Sequence, residues 1–306
     1  MSRLHVIVGG GPLGRAVASE LVERGEQVRL LSRHGDAAVA GAESVAADAT
    51  VPADLDRAFV GASVVYQCSQ PEYTRWAQEF PQLQRGILNA AVRAGADLVI
   101  ADNLYLYGDG DGATITEKSP SHPLSRKGAV RQAMAEEALA AHDAGRLRVA
   151  LSRPANYYGP GHDQSSKAVF SAALSGKPMQ FLGRTDQLTT FSYFPDAAAA
   201  MATLGTSDAG WGKAWIAPVQ PPITQGEFAA RVWSAAGQSG KPRIAALPKI
   251  AARVLGLFVP VIRELPEMYY QWDRPYLVDS SLIESTLGVY ATPLDQAISA
   301  TLDSYR

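Results

Sequence analysis

"LHVIVGGGPLGRAVASEL", residues 4 to 21, is an apolar run that ends in three glycines and passes at once into a helical pattern. Gly9, Gly11 and Gly14 stand in the spacing GxGxxG. Each position has a reason to lack a side chain. One glycine makes the tight turn, one lets the backbone approach a pyrophosphate, and one lets helix pack on strand. Pro12 and Leu13 open the helix, where proline's missing N–H is no loss. The free N–H groups and partial positive charge of that helix end suit phosphate oxygens. The stretch therefore predicts a strand, a dinucleotide-binding turn and a helix.

Outward from this turn, short apolar runs alternate with helical patterns: "QVRLLS" (27 to 32), "SVAAD" (44 to 48), "SVVYQC" (63 to 68), "DLVIAD" (97 to 102) and "LRVALSR" (147 to 153). Unbroken apolar strands between helices predict an α/β fold, a Rossmann-type doubly wound parallel sheet covered on both faces. After Arg153 proline, glycine and clustered aromatics become frequent, as in "RPANYYGPGHD" and "MYYQWDRPY". The expected division is a dinucleotide-binding domain at 1–153 and a smaller C-terminal substrate lobe at 154–306, with segments near 189–217 and 277–306 returning to the first domain. The greasiest stretch, "IAARVLGLFVPVI" (250 to 262), is too short to span a bilayer and holds Arg253 and Pro260. It is expected to be a core or lid helix, with an interfacial membrane contact as the lesser alternative.

The 306 residues carry 28 Lys and Arg against 30 Asp and Glu, which leaves no basic footprint for nucleic acid. Cys68 is the single cysteine, and the five histidines lack metal-ligand spacing, so neither a disulfide nor a metal site is expected. The opening residues hold no apolar signal-peptide core, and a cytoplasmic protein without a membrane partner is expected.

The second strand ends in Ser32, Arg33 and His34, where a site for NAD usually carries an acid for the ribose hydroxyls. An arginine there can pair with a 2′-phosphate, so NADP(H) is expected over NAD(H).

Further motifs carry a resemblance. "ADAT" (47 to 50), "VVYQCSQ" (64 to 70), "NLYLYG" (103 to 108), "ITEKSPSHP" (115 to 123), "SRPANYYGPG" (152 to 161) and "LVDSSLIESTLG" (277 to 288) follow one another. Together they resemble the short-chain dehydrogenase/reductase superfamily, in its extended and atypical branch of epimerase-, dehydratase- and reductase-like proteins. The resemblance implies that Asp48 and Ala49 meet the adenine and that Cys68 and Ser69 lie by the ribose. It also implies that Pro154 and Asn156 meet the cofactor. The chain departs from the branch as well. Val8 holds the first glycine position of its usual GxxGxxG, and the Tyr-x-x-x-Lys pair with its Ser is not found. Aligned through "NLYLYG" and Pro123, Asn103 takes the Ser position, Lys127 the Tyr and Arg131 the Lys.

Lys127 and Arg131 lie four apart on a helix, on one face, with no acid between them. By composition alone they read as a solvated stripe; the resemblance sets them at the nicotinamide. Lys127 could then serve as a proton donor or fixed cation, with Asn103 and Tyr105 as the other candidate catalytic groups and Arg131 holding ribose. The expected function is an NADP(H)-dependent oxidoreductase acting on a carbonyl or alcohol of a small apolar or aromatic substrate. The alternatives are a silent NADP(H)-binding regulator and, less favoured, a sugar-nucleotide epimerase or dehydratase. The family habit suggests a homodimer through helices near 80–95 and 124–144.

Overall fold

The computed structural model describes residues 3–306, apart from the side chains at 164 and 165. In chain order its first part holds β1 (Leu4–Val8), α1 (Pro12–Glu23), β2 (Gln27–Ser32), β3 (Glu43–Ala46), α2 (Pro52–Ala58) and β4 (Val64–Gln67). Then come α3 (Trp76–Ala94), β5 (Asp97–Ala101), α4 (Arg126–Asp143), β6 (Val149–Arg153), β7 (Asn156–Tyr158) and α5 (Asp163–Leu174). The remainder holds β8 (Met179–Leu182), β9 (Leu188–Thr189), β10 (Phe191–Tyr193), α6 (Phe194–Thr206), β11 (Lys213–Ile216), β12 (Ile223–Thr224) and α7 (Gln225–Ala235). It closes with β13 (Ile244–Leu247), α8 (Lys249–Leu255), α9 (Pro260–Arg263), α10 (Tyr270–Asp273), α11 (Ser281–Leu287) and α12 (Leu294–Asp303).

Seven strands form one sheet in the order β11-β6-β5-β4-β1-β2-β3, and every pairing in it is parallel. The α/β expectation is met. Parallel strands covered on both sides need apolar residues at consecutive positions. Val6 to Val8, Val64 to Tyr66, Leu98 to Ile100 and Val149 to Leu151 are buried without interruption. One face packs on α2, α3 and α4 through Leu55, Ile87, Leu88, Ala135 and Ala138. The other packs on α1, α6 and α11 through Val17, Leu21, Ala198, Met201 and Ile283. Small alanines on α4 and α6 let those helices lie close to the strands. The helix α3 ends at Gly95 in the left-handed region, φ 68°, and α4 begins under a Ser125 side-chain cap on Gly128 N.

The strand order reverses between β1 and β4, and this is where an open α/β sheet leaves a crevice at its carboxyl edge. Above that edge the second core gathers Tyr158, Phe170, Phe181, Phe228 and Trp233 between α5, α7, α12 and the β8/β13 pair. The stretch 250–262 differs from a core helix. It is split by the turn at Gly256–Val259 into α8 and α9, and Ile250, Leu257 and Phe258 are 75%, 75% and 81% exposed. Pro260 begins the second piece because it cannot continue the first.

Candidate active site

The glycine turn is built as its spacing requires. Gly9 adopts φ +119°, and a Cβ there would stand 2.7 Å from Ser69 N. A Cβ on Gly14 would lie 1.8 Å from Gly9 O, so the third glycine lets α1 cross the turn at close range. Gly10, which GxGxxG leaves open, is also constrained, since a Cβ would meet Ala37 Cβ at 2.4 Å. Gly11 is different: a Cβ there meets nothing within 4 Å. It faces a cavity of about 1900 Å³ that runs from the turn, over the sheet edge, into the lobe. Room above a helix N-terminus, with backbone free to be approached, is what a pyrophosphate needs.

Of the expected cofactor residues, Gly9, Gly11, Pro12, Leu13, Ser32, Arg33, His34, Asp48, Ala49, Cys68, Ser69, Arg131, Pro154 and Asn156 line this cavity. Gly14 packs beneath the turn, and Lys127, also expected at the cofactor, is not among the lining residues. Just past β3, Asp48 accepts from Thr50 N at 2.8 Å and Thr50 Oγ1 at 2.7 Å, bonds that hold its carboxyl below the usual range. Sequence reading passed over Asp36, which also lines the cavity. Its carboxylate takes the Ser32 hydroxyl at 3.0 Å, and that bond, aided by His34 and Arg15, lowers its pKa. Burial pushes the Cys68 thiol up to about 12, so it is no nucleophile here.

Lys127 and Arg131 are not a solvated stripe. They are 5% and 2% exposed. Although no acid lies between them in sequence, the fold supplies acids from far away. Arg131 gives Nε and Nη2 to Asp102 Oδ1 at 2.8 and 2.5 Å and lies 4.7 Å from the centre of the Phe80 ring. Arg153 holds the other oxygen of Asp102 at 2.7 Å and the Tyr107 hydroxyl at 2.6 Å. Burial alone would raise the Asp102 pKa, but the two guanidinium groups outweigh it and keep the carboxylate ionised. Lys127 turns the other way, to Glu264 and to Glu267 at 3.1 Å, with the Tyr73 ring 4.4 Å from its Nζ. Asp102, Glu264 and Glu267 were not foreseen. Asp102 was visible only as the end of a strand, and the glutamates come from the lobe.

Asn103 and Tyr105, the other candidate catalytic residues, both line the cavity just past β5. Asn103 Oδ1 accepts from Tyr105 N at 3.1 Å, which leaves its amide nitrogen for a ligand. Burial raises the Tyr105 pKa, while a hydrogen bond from Tyr73 and the charge of Arg131 pull it back. Around this point several buried polar atoms that border the cavity have no hydrogen-bond partner: Ser69 Oγ, Trp76 Nε1, Arg131 Nη1, Asn156 Nδ2 and Tyr276 OH. Buried polar groups are normally paired, so orphans converging on one cavity mark where a polar ligand sits. The glycine turn and these orphans fit a nicotinamide dinucleotide stretched along the sheet edge. Among the described residues no group of acids, histidines or cysteine could hold a metal ion.

The 2-alkyl-3-oxoalkanoate reductase of Stenotrophomonas maltophilia is 27% identical to this chain over 262 residues, 77% of this chain and 76% of its own. The crystal structure of DesIV, a dTDP-glucose 4,6-dehydratase from Streptomyces venezuelae with NAD and TYD bound, superposes with a TM-score of 0.79 at 19% identity, covering 99% of this chain and 97% of that one. UDP-glucose 4-epimerase of Thermotoga maritima, with UDP-glucose, gives 0.79 at 16% identity over 99% and 98%. These two share the fold, its parallel sheet and its smaller C-terminal part. Residues 5–214 match the NAD dependent epimerase/dehydratase family, and over two thirds of its length, with the dinucleotide turn at its start, the chain belongs to that family.

Proposed function

We propose that this chain is an NADP(H)-dependent reductase of a ketone or aldehyde whose bulk is apolar, with alkyl 3-oxo acids as the substrate class. The observation that carries this reading is the chemistry of the cavity beyond the cofactor turn. Between Pro154 and Tyr276, the described residues that line it include no lysine and no arginine. Phe170, Phe181, Phe191, Phe228, Leu247 and Trp272 wall it instead. A nucleotide sugar brings a second pyrophosphate, which calls for cations that this part of the cavity lining lacks; an alkyl chain gains about 25 cal/mol for each Å² buried. The relative that reduces 2-alkyl-3-oxoalkanoates supports the same choice.

The cofactor supplies a hydride, and the protein's part is to hold it and to manage a proton. Gly11 and the first turn of α1 would take the pyrophosphate, with Asp48 and Ala49 toward the adenine. Arg33 and His34, which line the cavity where β2 ends, would meet a 2′-phosphate. Ser69, Asn156 and Arg131 would serve the nicotinamide end. Tyr105 is assigned as the proton donor in place of Lys127. Burial keeps its phenol protonated, and Tyr73 and Arg131 ease the charge left when the proton goes to the substrate oxygen. Lys127 is clamped by two carboxylates, so losing its proton would strand them. Asn103 would give its amide N–H to the same oxygen.

NADPH consumption with a series of 2-alkyl-3-oxoalkanoates of increasing chain length tests the reading. KM should fall by about fourfold for each added methylene until the cavity is filled, the ~0.8 kcal/mol of a buried CH₂. Turnover of UDP-glucose or dTDP-glucose, with none of the oxo acids, would overturn it. Dinucleotide binding without turnover of any of them would leave a binder in place of a reductase.

A further inference from the structure

The segment from Lys241 to Arg263 joins two properties that rarely meet on the surface of a soluble domain. It exposes a run of large apolar side chains: Ile250, Val254, Leu257, Phe258, Val259 and Val261 are each between 38% and 81% exposed. It also carries Lys241, Arg243, Lys249, Arg253 and Arg263 with no acidic residue among them, in a chain whose net charge is −2. None of these five cations makes an ion pair among the described residues. The nearest acids, Glu264 and Glu267, are turned inward to Lys127. The segment is firmly seated from below. Ala252 and Gly256 are buried, Arg263 N bonds to Val259 O, and Leu255, Val261, Ile262 and Leu265 border the large cavity.

Apolar side chains presented outward on a short broken helix and ringed by unpaired cations are the pattern of an interfacial anchor. A protein partner of ordinary composition would satisfy the apolar part, but only an anionic surface answers the apolar residues and the one-signed charge together. Each Lys or Arg near anionic lipid adds about 1 kcal/mol, and Phe258 and Leu257 supply the insertion. We infer that the α8–α9 segment docks on an anionic lipid bilayer, with Leu257 and Phe258 entering the acyl region and Lys249, Arg253 and Arg263 at the headgroups. The attachment is peripheral, as no described helix is long and apolar enough to cross a membrane. Docked this way, the rim of the cavity would face the lipid phase; that consequence rests on the apolar-substrate reading, whereas the docking does not.

Flotation of the full chain with vesicles tests it. Binding is expected to vesicles of phosphatidylcholine mixed with phosphatidylglycerol, to be weakened by added salt, and to be absent with phosphatidylcholine alone. The variant carrying Leu257→Asp and Phe258→Asp should bind the mixed vesicles about tenfold or more weakly. Neither residue lines the cavity, so dinucleotide affinity should stay unchanged and serve as the measure of folding. Lys249→Gln with Arg253→Gln should lower binding and flatten its salt dependence. The docking is overturned if the chain fails to float with the mixed vesicles. It is equally overturned if the double aspartate variant floats as the parent does. A parent that is a dimer in sedimentation, turned into a monomer by the aspartates and indifferent to lipid, would assign the patch to a second copy and overturn it too. Because the readout is flotation, its failure leaves the reductase reading standing, and a failed substrate panel leaves the docking standing.

Discussion

Tyr105 borders the large cavity and Lys127 does not, and their surroundings suit them to different work. The Lys127 ammonium has Glu264 and Glu267 on one side and the Tyr73 ring on the other, so its charge joins α4 to the lobe. The Tyr105 phenol has Arg131 and the Tyr73 hydroxyl to stabilise its anion. Tyr105→Phe is therefore expected to lower kcat by about a hundredfold or more with dinucleotide affinity retained, while Lys127→Met lowers it by less than about tenfold. Single-turnover hydride transfer and calorimetric cofactor titration separate the two; the reverse ranking would restore the lysine as the donor. Arg33 carries a simpler expectation. Arg33→Ala should weaken NADPH much more than NADH, read as the ratio of the two dissociation constants, and equal losses would count against a 2′-phosphate site. The spacing of Lys127 and Arg131 was legible in the sequence; of the two, Arg131 borders the cavity and Lys127 does not. Their neutralisation was not. Asp102 is 29 residues from Arg131, and Glu264 is 137 from Lys127. Only the packed chain brings such distant charges together.

The glycine turn and the α8–α9 segment show why some elements can be read ahead of the structure and others cannot. The turn is dictated by local geometry: backbone angles and close approaches within a few residues select glycine, so its spacing survives in the sequence as a signature. Its second and third glycines nevertheless have separable roles. Gly11 sits at φ −72° with open space where a Cβ would go, so Gly11→Ala should keep the melting temperature and lose dinucleotide affinity. Gly14→Ala drives its Cβ onto Gly9 O and should lower the melting temperature itself. Thermal melts with and without NADPH distinguish them. An unchanged affinity in Gly11→Ala would mean that the pyrophosphate lies elsewhere. The stretch 250–262 offers no such signature. Its hydrophobicity is that of a core helix, and nothing local says which side meets protein. Gly256 and Pro260 do mark the break, but the exposure of Phe258 follows from the position of the whole segment over the cavity mouth.

The seven-stranded sheet ties these pieces together, and its centre holds a titratable group that has no part in the chemistry. His5 lies on β1, between β2 and β4, fully buried, with Nδ1 2.9 Å from the Tyr66 hydroxyl. Glu26 Oε2 stands 3.6 Å from Nε2, beyond hydrogen-bond range. Burial lowers the His5 pKa below its ordinary 6.5, more than Glu26 raises it, so the imidazole is neutral in the folded chain. In the unfolded chain it takes up a proton near pH 6.5, and the unfolded state then binds more protons than the native one. Stability is therefore complete above about pH 6.5 and declines as the pH falls from there toward the lowered folded value. Burial also lowers the pKa of His162, at the cavity, and gives a slope of the same sign. The carboxyls of buried Asp196 and half-buried Glu117 are shifted upward and act oppositely, beginning in the carboxylate range below the histidine window. Comparison with His5→Gln isolates the strand residue. The melting temperature of the parent should fall between about pH 7 and pH 5, and that of the variant should fall less over the same interval. Parallel curves would mean that His5 carries the same charge folded and unfolded, and that the middle of the sheet tolerates an imidazolium.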